Sequence, residues 1–139
     1  MSDPEKVKYV VALQCQMTKT RCSGFFCENA FTNRQDRYAD YPADAPVRFI
    51  AMDCGGCPGN LVLPHLRHLQ KCLKKNCGIE PAEVVVHLSS CMALSNYHGP
   101  ACPHLDRIKT LVERSGFRYV EGTRISPTAE KRRQEGVYE

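Results

Sequence analysis

Four short apolar runs alternate with three amphipathic stretches along this chain, and that alternation restricts its possible folds more than any other feature. Val7 to Leu13 is dense in β-branched and apolar residues and predicts a first strand. Polar residues, glycine and cysteine follow. Ser23 is placed to cap a helix running through Cys27, Ala30 and Phe31 to about Arg37, since a serine oxygen there accepts a free backbone N–H. Asp40 to Pro46, with two prolines and two aspartates, reads as a loop. Val47 to Met52 predicts a second strand, and Asp53 to Asn60 a sharp turn. The next helix is expected to reach about Asn76, with Val62, Leu66, Leu69 and Leu73 on one face. Pro64 is tolerated in its first turn, and Gly78 suits its C-terminal cap. Val84 to Leu88 is consecutively apolar, as a parallel strand buried on both faces would be. After a loop from Ser89 to Cys102, Pro103 stands where a first helical residue needs no N–H. The third helix carries Leu105, Ile108, Leu111 and Val112, is closed by Gly116, and precedes a fourth strand, Phe117 to Glu121.

The order β-α-β-α-β-α-β predicts an α/β fold of three layers. Its core would be a mainly parallel four-stranded, flavodoxin- or Rossmann-like sheet with right-handed crossovers. In such a sheet ligands bind beyond the carboxyl ends of the strands. The 139 residues suit one domain, expected over 1–124. The polar stretch 125–139, with Lys131, Arg132 and Arg133, reads as a flexible tail.

Nine cysteines and five histidines stand in this length. Such a count signals either a secreted disulfide framework or a metal or redox site kept reduced. The residues before the first strand include Asp3, Glu5, Lys6 and Lys8, and the apolar stretch Tyr9 to Leu13 is too short for a signal-peptide core. The cysteine number is odd, so complete internal pairing would leave one over. A cytoplasmic protein with reduced thiols is therefore expected, with no membrane-spanning run. A net charge of +4, few aromatics and no Trp give no footprint for nucleic acid.

On this strand assignment Cys15, Cys22 and Cys27 follow the first strand, Cys54 and Cys57 the second, and Cys91 and Cys102 the third. Seven cysteines thus fall at one end of the sheet, in loops or helix starts. Thiolates are soft ligands that select zinc, copper(I) or iron–sulfur clusters. A two-residue gap, as in Cys54-Gly55-Gly56-Cys57, lets two sulfurs face one ion, and the glycines permit the tight loop. Backbone N–H groups at helix starts would also favour thiolate. The same Cys-x-x-Cys spacing serves a dithiol redox pair, or a turn without function. Cys72, between Leu69 and Leu73, is expected to be buried as a small apolar residue, and Cys77 to be a bystander at a helix end. His87, inside a strand, reads as a hydrogen-bonded core histidine, and His65 and His68 as surface residues. His98 and His104 lie on the cysteine-bearing side as candidate nitrogen ligands or proton carriers.

Taken together, several motifs resemble the CGGC-domain family. They are Cys15…Cys22-Ser23-Gly24…Cys27…Ala30-Phe31, Cys54-Gly55-Gly56-Cys57-Pro58-Gly59, His87-Leu88-Ser89-Ser90-Cys91, Cys102-Pro103-His104…Asp106…Ile108-Lys109 and Glu121-Gly122-Thr123. The similarity spans residues 7–124 or so. It implies a metal-binding domain, with zinc suggested by the cysteines and histidines, and no established reaction. Carried over position by position, it implies Cys15, Cys22, Cys27, Cys54, Cys57, Cys91, Cys102 and His104 as metal positions. Arg124 departs from the His expected after Gly-Thr, which removes one implied ligand. Cys72, Cys77 and His98 stand outside the family pattern.

Three functions follow as expectations. The first is metal binding, by zinc or an iron–sulfur cluster; seven cysteines exceed the four ligands of one tetrahedral site. The second is a thiol–disulfide oxidoreductase or redox sensor in which Cys54 attacks, its thiolate favoured by the following helix start, and Cys57 resolves. The third is a metal-dependent hydrolase or lyase, for which Asp53, Asp106 and His104 are the nearby candidate bases.

Overall fold

The computed structural model describes residues 6–95 and 100–137. Strands β1 (Tyr9–Gln14), β2 (Arg48–Asp53), β3 (Val84–Leu88) and β4 (Arg118–Glu121) form one sheet in the order β2-β1-β3-β4. All three pairings are parallel, with Leu13 opposite Met52 and Leu88 in the two neighbouring strands. The expected α/β sheet is therefore present. β1 and β3, the central pair, are buried along their whole length, which is why they carry the least interrupted apolar runs.

The long helices sit where right-handed crossovers place them. α3 (Val62–Cys77) and α5 (Leu105–Arg114) cover one face, burying Val62, Leu66, Leu69, Leu73, Ile108, Leu111 and Val112 on Val11, Leu13, Val84, Val86 and Leu88. α2 (Phe25–Thr32) covers the other face, where Ala30 and Phe31 pack with Tyr38, Tyr41, Val10 and Val85. Gly78 caps α3 in the left-handed conformation, as its position predicted.

Several boundaries differ from those expected. α2 ends at Thr32, not near Arg37, because Arg34 and Asp36 take positive φ (52° and 55°) and turn the chain out of the helix. A 3-10 turn, Asp36–Tyr38, then delivers fully buried Tyr38 to the core. Gly24, not Ser23, is the residue before α2, although the Ser23 hydroxyl does accept the Phe25 N–H at 3.3 Å. α5 begins at Leu105, and Pro103 lies in the preceding turn, since the first helical bond runs from the Ile108 N–H to the His104 carbonyl. Two single-turn helices were not expected: α1 (Gln16–Lys19) directly after β1, and α4 (Ser90–Ala93) directly after β3. The stretch 125–139 contains a helix, α6 (Pro127–Gln134), capped by the Ser126 hydroxyl accepting the Ala129 N–H; Ala129 is buried. No described helix is long and apolar enough to cross a membrane.

Candidate functional site

Because β1 lies between β2 and β3 and all run the same way, the segments leaving their carboxyl ends are neighbours. Cys15 follows β1, Cys54 and Cys57 follow β2, and Cys91 and Cys102 follow β3. Cys22 lies in the turn before α2 and Cys27 in its first turn. All nine cysteines are free thiols.

The sulfurs divide between the two faces of the sheet. Cys54 is buried in the larger core, and Cys15 and Cys102 pack against it. Burial above all pushes the Cys102 thiol up from the ordinary range, against the His104 N–H that favours its thiolate; the nearby sulfurs of Cys15, Cys57 and Cys54 add a smaller push in the same direction as burial. The Cys102 sulfur accepts that His104 N–H at 3.4 Å, so the described contact between these two residues is through backbone. Cys57 is exposed. On the α2 side, Cys91 takes the Ser89 hydroxyl at 2.9 Å and the Cys15 N–H, with Cys27 in electrostatic reach. Burial pushes the Cys91 thiol up as well. Cys27 meets the Thr123 hydroxyl at 3.2 Å, and Cys22 accepts the Gly24 N–H at 3.4 Å.

The turn carrying Cys54 and Cys57 is built around its glycines. The Gly56 carbonyl accepts N–H groups from Gly59 and Asn60, Leu61 N–H closes onto the Cys54 carbonyl, and Asp53 accepts the Gly55 N–H at 2.7 Å. Gly55 has φ +72°, and a Cβ there would stand 2.3 Å from Cγ of Leu61, so only glycine fits. α3 starts beyond this turn, with Leu61 as the residue before it. Cys54 is thus not at the helix start from which it was expected to draw thiolate stabilisation, and it is only 5% exposed.

A cavity of about 210 Å³ opens at the carboxyl ends of β1 and β3, among α1, α2, α4 and α6. Cys15, Cys22, Cys27 and Cys91 are in its wall, with Lys19, Arg124 and Arg133 as its charged lining. Thr123 fastens one side: its hydroxyl accepts the Ser90 N–H and its N–H donates to the Ser90 hydroxyl. Gln14, the last residue of β1, forms part of the lining and is 3% exposed. Among the described residues, neither its amide nitrogen nor its amide oxygen has a partner. Sequence reasoning overlooked Gln14, although a polar residue closing an otherwise apolar strand was the available signal. It also overlooked Arg133, which α6 brings within hydrogen-bonding distance of the Ser95 carbonyl and Glu130.

The other expectations resolve as follows. His87 is fully buried and satisfied at both ring nitrogens, by Gly122 O at 2.9 Å and the Tyr41 hydroxyl at 2.7 Å. That pattern fixes Nδ1–H as donor to the carbonyl and Nε2 as acceptor from tyrosine. Burial holds its pKa down at about 4. Cys72 is half-buried rather than in the core, because α3 turns its sulfur toward exposed His68, 3.5 Å from Nε2. Cys77 is exposed and takes an Arg48 N–H. His65 is exposed, and His98 lies outside the described residues.

The fold and these loops define a cysteine-rich parallel α/β domain with its thiols at the carboxyl ends of the strands. The chain belongs to the CGGC domain family, which matches residues 9–124. No curated protein and no solved structure gave a match. The family suggests metal binding, and the donors fit a thiophilic metal in kind. Among the described residues, no three His, Cys, Asp or Glu side chains stand ready around one point.

Proposed function

We propose that this protein binds a thiophilic metal, zinc in first place and an iron–sulfur cluster as its competitor, through cysteines after β1, β2 and β3. The observation that supports this is placement: Cys15, Cys54, Cys57 and Cys102 follow three neighbouring parallel strands at the same end of the sheet, with Cys54 buried in one core cluster and Cys15 and Cys102 packed against it. These four, with His104 beside them, are the donors proposed first; Cys22, Cys27 and Cys91 complete the set the family implies. Since no three converge in the resting arrangement, loading would draw the loops together. Uptake should strengthen with pH, because thiols such as Cys102 must lose protons to ligate.

Elemental analysis with an ultraviolet–visible spectrum, on protein purified anaerobically without chelator, tests the proposal. A colourless protein with zinc supports the first form. Iron with acid-labile sulfide and broad visible absorption supports the cluster. Neither metal above background, even after reconstitution, sinks both. A dithiol reading then takes their place, and the exposed Cys57 beside the buried Cys54 favours it, with the order of attack reversed from that expected. Cys57→Ser separates the two: it lowers metal retention and stability together if Cys57 is a ligand, and leaves bound metal in place if Cys57 is only a redox thiol.

A further inference from the structure

We propose that the cavity between α1, α2, α4 and α6 is a binding site for a small organic carboxylate; it shares Cys15 with the four donors proposed first and lies on the other side of that residue from Cys54, Cys57 and Cys102. Three observations meet there. The first is charge: Lys19, Arg124 and Arg133 enter the lining and no acidic side chain does. Arg133 is already paired with Glu130, but among the described residues neither Lys19 nor Arg124 has a carboxylate partner. Lys19 donates to the Ser23 carbonyl, and the Arg124 guanidinium lies 3.9 Å over the Phe26 ring, which holds both at the opening.

The second observation is Gln14. The large majority of buried side-chain amides are paired, and one with both atoms unpaired marks either strain or a missing partner. β1 alternates its side chains, so Gln14 points to the same face as Val10 and Ala12, the face of α2 and the cavity. An amide offers a donor and an acceptor side by side. The complementary ligand therefore carries a hydroxyl, amino or amide group besides its charge.

The third observation is size and wall chemistry. About 210 Å³ falls below the roughly 300–1,000 Å³ of sites for drug-sized molecules, so the ligand is small. Phe26, Ala129 and the cysteine sulfurs give it an apolar side to contact. An inorganic oxyanion would satisfy the cations but leave Gln14 and this wall unused. A short carboxylate with a second polar group uses all three.

The test is calorimetric titration of the reduced full chain with succinate, L-malate, L-glutamate, L-glutamine and inorganic phosphate, each as a separate probe. At least one of the hydroxy- or amino-carboxylates should bind with Kd below about 1 mM. Arg124→Gln and Gln14→Leu should each weaken that binding by about tenfold or more, as loss of a charge-assisted or buried hydrogen bond does. Lys74→Gln, at an exposed position of α3, should leave it unchanged. Amide spectra should show the Gln14 side chain shifting on binding in the parent. The proposal is overturned if no carboxylate binds below about 10 mM. It is equally overturned if phosphate binds as tightly as the best carboxylate, or if Gln14→Leu binds the carboxylate as well as the parent. Finding no metal in the protein would sink the metal reading and leave this one standing, so the two fail independently.

Discussion

Replacing Gln14 by leucine should make the ligand-free protein more stable. The amide nitrogen and oxygen of Gln14 are both buried without a partner among the described residues, in a residue 3% exposed. An unsatisfied buried polar group carries a desolvation penalty of about 1–3 kcal/mol. Leucine has a similar volume, removes that penalty and keeps the side chain against β1's neighbours; its different branching near Gly24 takes back part of the gain. A net stabilisation of about 1–2 kcal/mol is the working figure. At about 2.1 cal/mol/K per residue, 139 residues give an unfolding entropy of roughly 0.3 kcal/mol/K, so Tm should rise by about 3–7 °C. Differential scanning calorimetry of the reduced, ligand-free chain reads this directly, and urea unfolding should show a higher midpoint at an unchanged m-value. Such a gain accompanied by loss of carboxylate binding is the pattern of a residue retained for function against stability. An equal or lower Tm for Gln14→Leu would mean that the amide is compensated in solution, and the argument that it waits for a ligand would fail.

Three further outcomes follow from the same geometry. His87 is buried with its pKa lowered from 6.5 to about 4, so the unfolded chain takes up its proton first. Its stabilisation is present above pH 6.5 and is lost as pH falls toward 4, by up to roughly 3 kcal/mol. Denaturant midpoints between pH 7 and 4.5 should fall more steeply in the parent than in His87→Leu, and the His87 imidazole itself, assigned by its loss in that variant, titrating near 6.5 by nuclear magnetic resonance would refute this. Gly55→Ala forces a Cβ to 2.3 Å from Cγ of Leu61 at φ +72°. It should destabilise by about 1–3 kcal/mol, and a thermal melt matching the parent's would show that the turn yields freely. Cys72→Ser should leave metal content by elemental analysis unchanged, because Cys72 lies on α3 beside His68 and away from the strand ends; a drop would bring Cys72 into the donor set.

The layers of this fold were legible because burial on both faces leaves a plain mark on β1 and β3, and because α3 shows one apolar face of four residues. Gly78 likewise announced its cap. Two kinds of feature were hidden. Backbone choices made by tertiary contact, such as the positive φ at Arg34 that ends α2, are invisible where the residue is not glycine, asparagine or aspartate. Side-chain pairings across distant segments were hidden too: nothing local links Ser90 to Thr123 or Arg133 to the Ser95 carbonyl. The position of the cysteines at one end of the sheet could be read from strand order alone. Their division between the two faces could not, since it depends on which way each loop folds back after leaving its strand.

That division gives Cys15 a special place and leads to a last prediction. β1 and β3 are adjacent, and the chain leaves them in opposite directions, to β2 and to β4, which is the arrangement that opens a crevice at the strand ends. Cys15 stands at this point. Its side chain packs against the larger core near Cys54 and Cys102, it borders the cavity, and its N–H reaches the Cys91 sulfur. A metal drawn onto Cys15, Cys54, Cys57 and Cys102 would therefore pull on the wall of the carboxylate cavity. If both proposals hold, the two affinities are linked, and by thermodynamic necessity each ligand changes the other's binding by the same factor. For coupling of ordinary strength that factor is about 5–150. Carboxylate titrations on metal-free and zinc-loaded protein, paired with zinc titrations at zero and saturating carboxylate, measure it from both sides. Equal factors that shrink toward one in Cys15→Ala would place the coupling at Cys15. Factors of one in the parent would show two sites that share an end of the sheet and no more, and Cys15 would then serve only one of them.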